Sequence, residues 1–282
     1  MPLTSSSTIA SVETSSNKAQ SEQYSKWKRQ QTRRRWFILA TQLAILVVFV
    51  LAWEISARQN WINPMLTSYP SAVWAAFMEM LRDGSLWAHV YITVQETIVS
   101  FVISMVIGVM VATLLWLSPF LYSVLDPFIV VGNALPKIAL VPIFYIWLGP
   151  ELSIYGVAIA ISVVITILMV YSGFCQTDPA KLKLARTFGA TRFQELQKVV
   201  LPSNLLTIVA ALKANVGLAL VGVIVGEFQS SKAGLGYLIL YGSQIFKMDM
   251  VMMSIVILGV LSLLVYLIIQ NIEAALLRRR RR

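Results

Sequence analysis

Long apolar runs alternate with short polar segments along most of this 282-residue chain. A run of about 20 apolar residues is enough for an α-helix to cross a hydrocarbon core of about 30 Å. Six runs are of roughly this length or longer, and they cover residues 37–57, 90–117, 121–148, 152–174, 204–228 and 251–277. The sequence therefore predicts an all-α, polytopic membrane protein with six transmembrane helices.

The net charge of +10 is concentrated at the ends of the apolar runs. One basic cluster precedes the first run, a second lies in the loop between the fourth and fifth runs, and the third, Arg278 to Arg282, ends the chain. Basic residues at the ends of membrane spans mark the cytoplasmic side. With six spans, all three clusters and both termini are cytoplasmic. The charge therefore indicates membrane topology and gives no support to nucleic-acid binding.

Residues 1–35 are rich in Ser and Thr and end in a basic run, so we expect a disordered cytoplasmic tail before the membrane domain of residues 36–282. The chain has one cysteine, Cys175, and one histidine, His89. These numbers exclude an intramolecular disulfide and a histidine-rich metal site. We expect neither an enzyme nor a bound metal or cofactor.

The second basic cluster lies in a loop, residues 178–202, with its own helix signals. Asp178 is a good N-cap, and Pro179 suits the first helical position. Gly189 supplies a left-handed stop, and Thr191 with Gln194 has the spacing of a capping box. The loop is predicted to form two helices joined by a turn.

This loop resembles the EAA loop of ABC importer permeases, whose pattern is Glu-Ala-Ala, three residues, Gly, nine residues, Ile-x-Leu-Pro. Four residues fall on its register: Ala185, Gly189, Leu201 and Pro202. Val199 takes the Ile position, whereas Lys183 and Leu184 replace the Glu and the first Ala.

The resemblance extends from about Pro70 to the C-terminus and is closest to the nitrate, sulfonate and taurine branch of these permeases. It implies the type I importer fold, in which two permease chains, here a homodimer, form a central pathway in the bacterial inner membrane. It also implies an extracytoplasmic solute-binding protein and two ATPase subunits as partners. ATP and Mg²⁺ are expected on the ATPase, because this chain has no Gly-Lys pair and hence no phosphate loop.

By the same resemblance the loop is a coupling helix that docks into the ATPase. The expected contact residues are Lys183, Leu184, Ala185, Arg186, Gly189, Ala190, Leu201 and Pro202. An amphipathic loop lying on anionic lipid is the alternative, but it does not explain the spacing to Leu201 and Pro202.

Polar residues inside spans are costly and are therefore candidates for the translocation pathway. They are Glu96, Asn133, Lys137, Lys213, Asn215 and Glu227, together with Pro136, which is expected to kink the third span. Lys137 could meet an anion, snorkel to the interface, or pair with Glu96 or Glu227. Asn133 and Asn215 could equally bind a neighbouring helix.

The expected function is import of a small oxyanion such as nitrate, bicarbonate, a sulfonate or taurine. A vitamin precursor such as a thiamine pyrimidine is the alternative within the same class. A secondary transporter is the runner-up class, but it often shows inverted repeats, and no convincing repeat is visible.

Overall fold

The structure is a computed structural model that describes residues 5–230 and 232–280, and every regular element in that part is helical. The helices are α1 Ser5–Arg58, α2 Pro64–Thr67, α3 Pro70–Arg82, α4 Ser85–Leu117, α5 Pro119–Ala134, α6 Val141–Cys175, α7 Pro179–Thr187, α8 Arg192–Glu195, α9 Leu201–Ser203, α10 Leu205–Ser230, α11 Leu235–Gln244 and α12 Met248–Arg280. A 3₁₀ turn over Lys137–Leu140 precedes α6, and a π-helical turn over Leu196–Val200 joins α8 to α9.

Helix α1 belongs to a separate unit, residues 1–64. It begins at Ser5, so the tail that we expected to be disordered is helical from that residue onward, and residues 1–4 lie outside the described part. Residues 5–35 contain neither glycine nor proline, and so nothing in this stretch ends the helix of the first span.

Among the described residues, five helices are long and apolar enough to cross a membrane. They cover Gln30–Arg58, Ser85–Leu117, Lys137–Cys175, Leu205–Gln229 and Met248–Ala275. The segment 121–148, which we expected to form one kinked span, is instead divided between α5, the 3₁₀ turn and the first turns of α6. The number of six crossings therefore stays a prediction.

Proline chemistry accounts for the division of this segment. Pro136 has no N–H to donate and disfavours the helical region for the residue before it. Leu135 is accordingly extended, with φ −61° and ψ 134°. A second break lies at Gly149, where φ is +76° inside α6. It coincides with the loop that we expected between the third and fourth spans.

Helices α4, α6 and α10 form the centre of the second unit, Met65–Arg282, and small residues let α10 approach α6 closely. A Cβ atom on Gly222 would lie 2.5 Å from Ala158 Cα, and one on Gly226 would lie 2.8 Å from Ile154 Cα. Both glycines therefore serve helix packing, as their four-residue spacing predicts.

The sequence of residues 71–82 places apolar residues on one helical face and charged residues on the other, a pattern typical of a helix that lies on a membrane surface. In the structure this segment belongs to α3, and protein covers its apolar face. Val73, Phe77 and Leu81 pack against a cluster that includes Leu235, on α11, and Met253, on α12. Neighbouring helices of this chain therefore bury the apolar face of α3.

Candidate functional site

The loop between α6 and α10 is built from two capped helices. Asp178 accepts a hydrogen bond from the backbone N–H of Ala180 at 2.8 Å, so it caps α7 as predicted. Thr191 and Gln194 form the predicted capping box at α8, in which each side chain accepts a hydrogen bond from the other residue's backbone N–H. At each helix start a side chain therefore binds one of the N–H groups that the helix itself leaves without a partner.

Gly189 ends α7 in a Schellman motif. Its N–H donates to the carbonyl of Arg186 at 2.9 Å, and the N–H of Ala190 donates to that of Ala185 at 3.1 Å. This arrangement needs a left-handed residue, and Gly189 has φ +78°. The turn therefore depends on a residue without a Cβ atom.

A bidentate ion pair joins the two helices of the loop. Arg186 donates from Nε to Glu195 Oε1 at 2.7 Å and from Nη2 to Oε2 at 3.2 Å. These hydrogen bonds lower the pKa of Glu195 below its usual range, which keeps this carboxylate ionised although it is buried. The pair fixes the angle between α7 and α8.

The loop is also fastened to the membrane helices at its two ends. Asn204 donates its side-chain amide to Thr177 Oγ1 at 2.7 Å, and both residues are buried. Leu196 and Val200 pack in one core cluster with Phe174, which lies near the end of α6. The loop and the adjoining ends of α6 and α10 therefore form one connected unit.

Three large apolar side chains of the loop point away from this unit into open space. Their exposed fractions are 59% for Leu184, 82% for Phe188 and 62% for Phe193. Leu184 was among the predicted contact residues, whereas the two phenylalanines were not. Aromatic residues flanking the turn of an otherwise polar and basic loop were the signal that could have identified them.

The other predicted loop residues are placed as follows: Lys183, Arg186, Gly189 and Pro202 are exposed, and Ala185, Ala190 and Leu201 are partly buried. Leu201 packs against the core cluster that holds Leu196, so its contact is internal. The exposed face of the loop is therefore formed mainly by α7 and the turn that follows it.

The predicted pathway residues do not converge on one place. Asn133, Pro136 and Lys137 lie together at the break before α6, where Lys137 Nζ donates to the backbone carbonyl of Asn133 at 3.2 Å. Within the described part of the chain, Lys137 forms no salt bridge, so pairing with Glu96 or Glu227 is not observed.

Glu96 and Glu227 are neighbours, buried between α4 and α10. Thr93 Oγ1 donates to Glu227 Oε1 at 2.6 Å, and the backbone N–H of Gly236 donates to Oε2. Glu227 therefore holds the turn that opens α11 against the central helices.

Lys213 and Asn215 bind neighbouring helices. Lys213 forms a salt bridge with Glu273 of α12, and its ammonium lies 5.7 Å from the ring centre of Tyr266. Asn215 is fully buried, donates to Thr166 of α6 and accepts from Ser104 of α4 at 3.1 Å. Both side chains join helices of this chain.

Several curated proteins are similar to this chain over nearly its whole length. A probable ABC transporter permease of Haemophilus influenzae is 30% identical over 81% of this chain and 93% of its own. The formylaminopyrimidine transport permease ThiX of Halalkalibacterium halodurans is 29% identical over 87% and 97%, respectively. The taurine transport permease TauC of Escherichia coli is 22% identical over 89% and 92%.

The fold has solved counterparts as well. The MetNI methionine ABC transporter in an inward-facing form matches with a TM-score of 0.61 at 20% identity, over 67% of this chain and 96% of the matched chain. This likeness places the chain among the type I ABC importer permeases by fold. Residues 104–282, with the 178–202 loop at their centre, also match the family model for these permeases. The chain belongs to the family of binding-protein-dependent transport system inner membrane components, and it is the membrane permease of an ABC importer.

Proposed function

We propose that two copies of this chain form the pathway of an importer for a small oxyanion, and that the 178–202 loop couples this pathway to the ATPase. The observation that carries the proposal is a fixed loop with exposed apolar side chains. Leu184, Phe188 and Phe193 stand on a loop braced by the Arg186–Glu195 pair and two capped helices. An exposed apolar patch of this kind marks a protein interface.

The contacts of the loop explain how movement of the ATPase would reach the membrane. The Thr177–Asn204 hydrogen bond and the packing of Leu196 and Val200 join the loop to the ends of α6 and α10. Because the loop cannot bend freely at these points, a displacement of α7 is passed to both helices. The contact face on the ATPase side comprises Lys183, Leu184, Ala185, Arg186, Gly189 and Ala190.

Two ATPase subunits, which carry ATP and Mg²⁺, are proposed to dock at this loop. The loop and both termini of the chain then face the cytoplasm. The chain itself is a non-catalytic subunit. The second permease copy is proposed to lie against α5 and the first turns of α6, where Phe128, Ile146 and Trp147 are at least 71% exposed.

The environment of Lys137 supports the proposal that the transported solute is an anion. It lies at a break between helices, partly exposed, and its ammonium is held only by a backbone carbonyl among the described residues. A cation without a carboxylate partner is a suitable contact for nitrate, bicarbonate or a sulfonate. The taurine permease among the relatives transports such a compound by its name.

A thiamine pyrimidine is the second candidate solute, because the formylaminopyrimidine permease is 29% identical over 87% of this chain. This compound would not require the charge of Lys137.

The test is reconstitution of the chain with its ATPase and solute-binding protein in liposomes. We expect ATP-dependent uptake of labelled taurine or nitrate, and a native mass equal to two permeases and two ATPases. Uptake of formylaminopyrimidine alone would select the second solute. A single permease with one ATPase, or uptake without ATP, would refute the proposal.

A further inference from the structure

A cleft of about 510 Å³ opens at the end of the second unit that lies opposite the 178–202 loop. Its walls are the last turn of α3, the first turns of α4, helix α11 and the start of α12. The position follows from α4, which begins at the cleft with Ser85 and ends beside the loop, where Arg192 of the loop donates to Trp116 O at 3.4 Å. Under the proposed orientation the cleft faces the extracytoplasmic side.

Five charged side chains line this cleft, and they are of both signs: Glu79, Asp83, Asp249, Lys232 and Lys247. None of them forms a salt bridge within residues 5–230 and 232–280. Hydrogen bonds from Ser85 lower the pKa of Asp83, which therefore carries its charge at neutral pH. The cleft thus displays charges that form no ion pair with other described residues.

One wall of the cleft is an aromatic stack. The rings of His89 and Tyr237 are stacked with centres 6.1 Å apart, and those of Tyr237 and Tyr241 with centres 5.6 Å apart. His89 Nδ1 accepts a hydrogen bond from the N–H of Gly234, so a neutral His89 carries its proton on Nε2. Tyrosines fixed in this way are typical anchors of protein interfaces.

The wall is held in place before any partner arrives. Three consecutive N–H groups at the start of α11 are bound by side chains of other helices: Gly234 by His89, Leu235 by Thr93 and Gly236 by Glu227. A Cβ atom on Gly236 would lie 2.6 Å from Glu227 Oε2, so the turn fits tightly on this carboxylate. A preformed wall lowers the entropic cost of binding.

We infer that this cleft is the surface on which the solute-binding protein docks, through salt bridges of both signs around the aromatic wall. The inference rests on the proposed function for its orientation. Pockets for small solutes are mostly apolar with a few polar groups. A concave surface with unpaired charges of both signs and a tyrosine wall instead fits the charged face of a protein, where such charges set specificity and the rate of association.

The test uses the full transporter in liposomes and the purified solute-binding protein encoded beside this chain. The variants are Glu79→Lys and Lys247→Glu, two reversals of exposed charges. The control is Glu151→Lys, an exposed carboxylate that does not line the cleft. The measured quantity is the concentration of binding protein that gives half-maximal stimulation of ATP hydrolysis, at low and at high salt.

We expect each reversal to raise this concentration about tenfold at low salt, and less at high salt, where exposed charges are screened. The maximal rate and the control should not change. Unchanged half-maximal concentrations in both reversals would overturn the docking assignment, and so would a lower maximal rate at an unchanged concentration. If the wild type itself shows no stimulation, both the proposed function and the docking assignment fail.

Discussion

Valine in place of Gly189 tests whether the turn of the 178–202 loop transmits force. Gly189 has φ +78°, and a Cβ atom added there meets nothing within 4 Å, so the cost is one of backbone conformation alone. A residue other than glycine in this region costs about 1–3 kcal/mol, and β-branched residues fit it worst. A cost of about 2 kcal/mol would lower the equilibrium constant for forming the capped turn about thirtyfold.

The assay is the number of solute molecules imported per ATP hydrolysed by the reconstituted transporter. Gly189→Val should lower this ratio while the amount of inserted permease stays normal, because the change lies outside the membrane helices. Gly189→Asn should retain most of the coupling, since asparagine tolerates the left-handed conformation.

Gly84→Val is the matched control for strain. Gly84 also has a positive φ, +77°, with nothing within 4 Å of an added Cβ atom. It precedes the first residue of α4, whereas the 178–202 loop contacts the other end of this helix. Because Gly84 lies between Asp83 and Ser85 of the docking cleft, the comparison is made at a saturating concentration of the solute-binding protein, where the import ratio should not change. Equal ratios for Gly189→Val and the wild type would refute the reasoning that this turn is a coupling element.

Two further substitutions separate the roles assigned above. Ala185→Trp should weaken ATPase binding at least about tenfold without loss of insertion, because the large ring would cover the docking face of α7; copurification of the ATPase measures this, and normal recovery would contradict it. Lys137→Met should reduce uptake of an oxyanion and leave thermal stability unchanged, because Lys137 is paired with no carboxylate among the described residues. A fall in melting temperature with normal uptake would instead indicate a structural role for Lys137.

The sequence predicts the local part of the candidate site well, because helix caps depend on residues within one turn. Asp178, Gly189, Thr191 and Gln194 each occupy the position in the loop that their type favours. The ion pair between Arg186 and Glu195 could not be predicted in this way, since it depends on the angle at which two short helices meet.

Contacts between distant segments are likewise hidden in the sequence. Thr177 and Asn204 are 27 positions apart, and neither carries a motif. Glu227 was predicted as a pathway residue because it is a carboxylate in an apolar run, a signal that does not separate solute binding from a bond to another part of the chain. Its donors, Thr93 and Gly236, become visible only when α4 and α11 are brought together.

Substitution of Asn215 is the clearest test of whether a polar residue in a span binds solute or bonds to another part of the chain. The amide of Asn215 joins Ser104 and Thr166, yet each hydroxyl keeps an acceptor in its own helix. Thr166 donates to Ser162 O at 3.0 Å, and Ser104, whose single proton is shared between two acceptors, lies 2.7 Å from Ser100 O and 3.1 Å from Asn215 Oδ1.

Asn215→Leu would therefore orphan neither hydroxyl, and it would remove two interhelical hydrogen bonds worth about 0.6 kcal/mol each in a membrane. We expect stability to fall by about 1 kcal/mol, measured by thermal unfolding in lipid nanodiscs, with no change in the apparent affinity for solute. The isosteric Asn215→Asp replaces the amide with a carboxyl group that is costly to bury, so it should lower stability as well. A shift in solute affinity with unchanged stability would place Asn215 on the pathway and contradict its role as a bond between α4, α6 and α10.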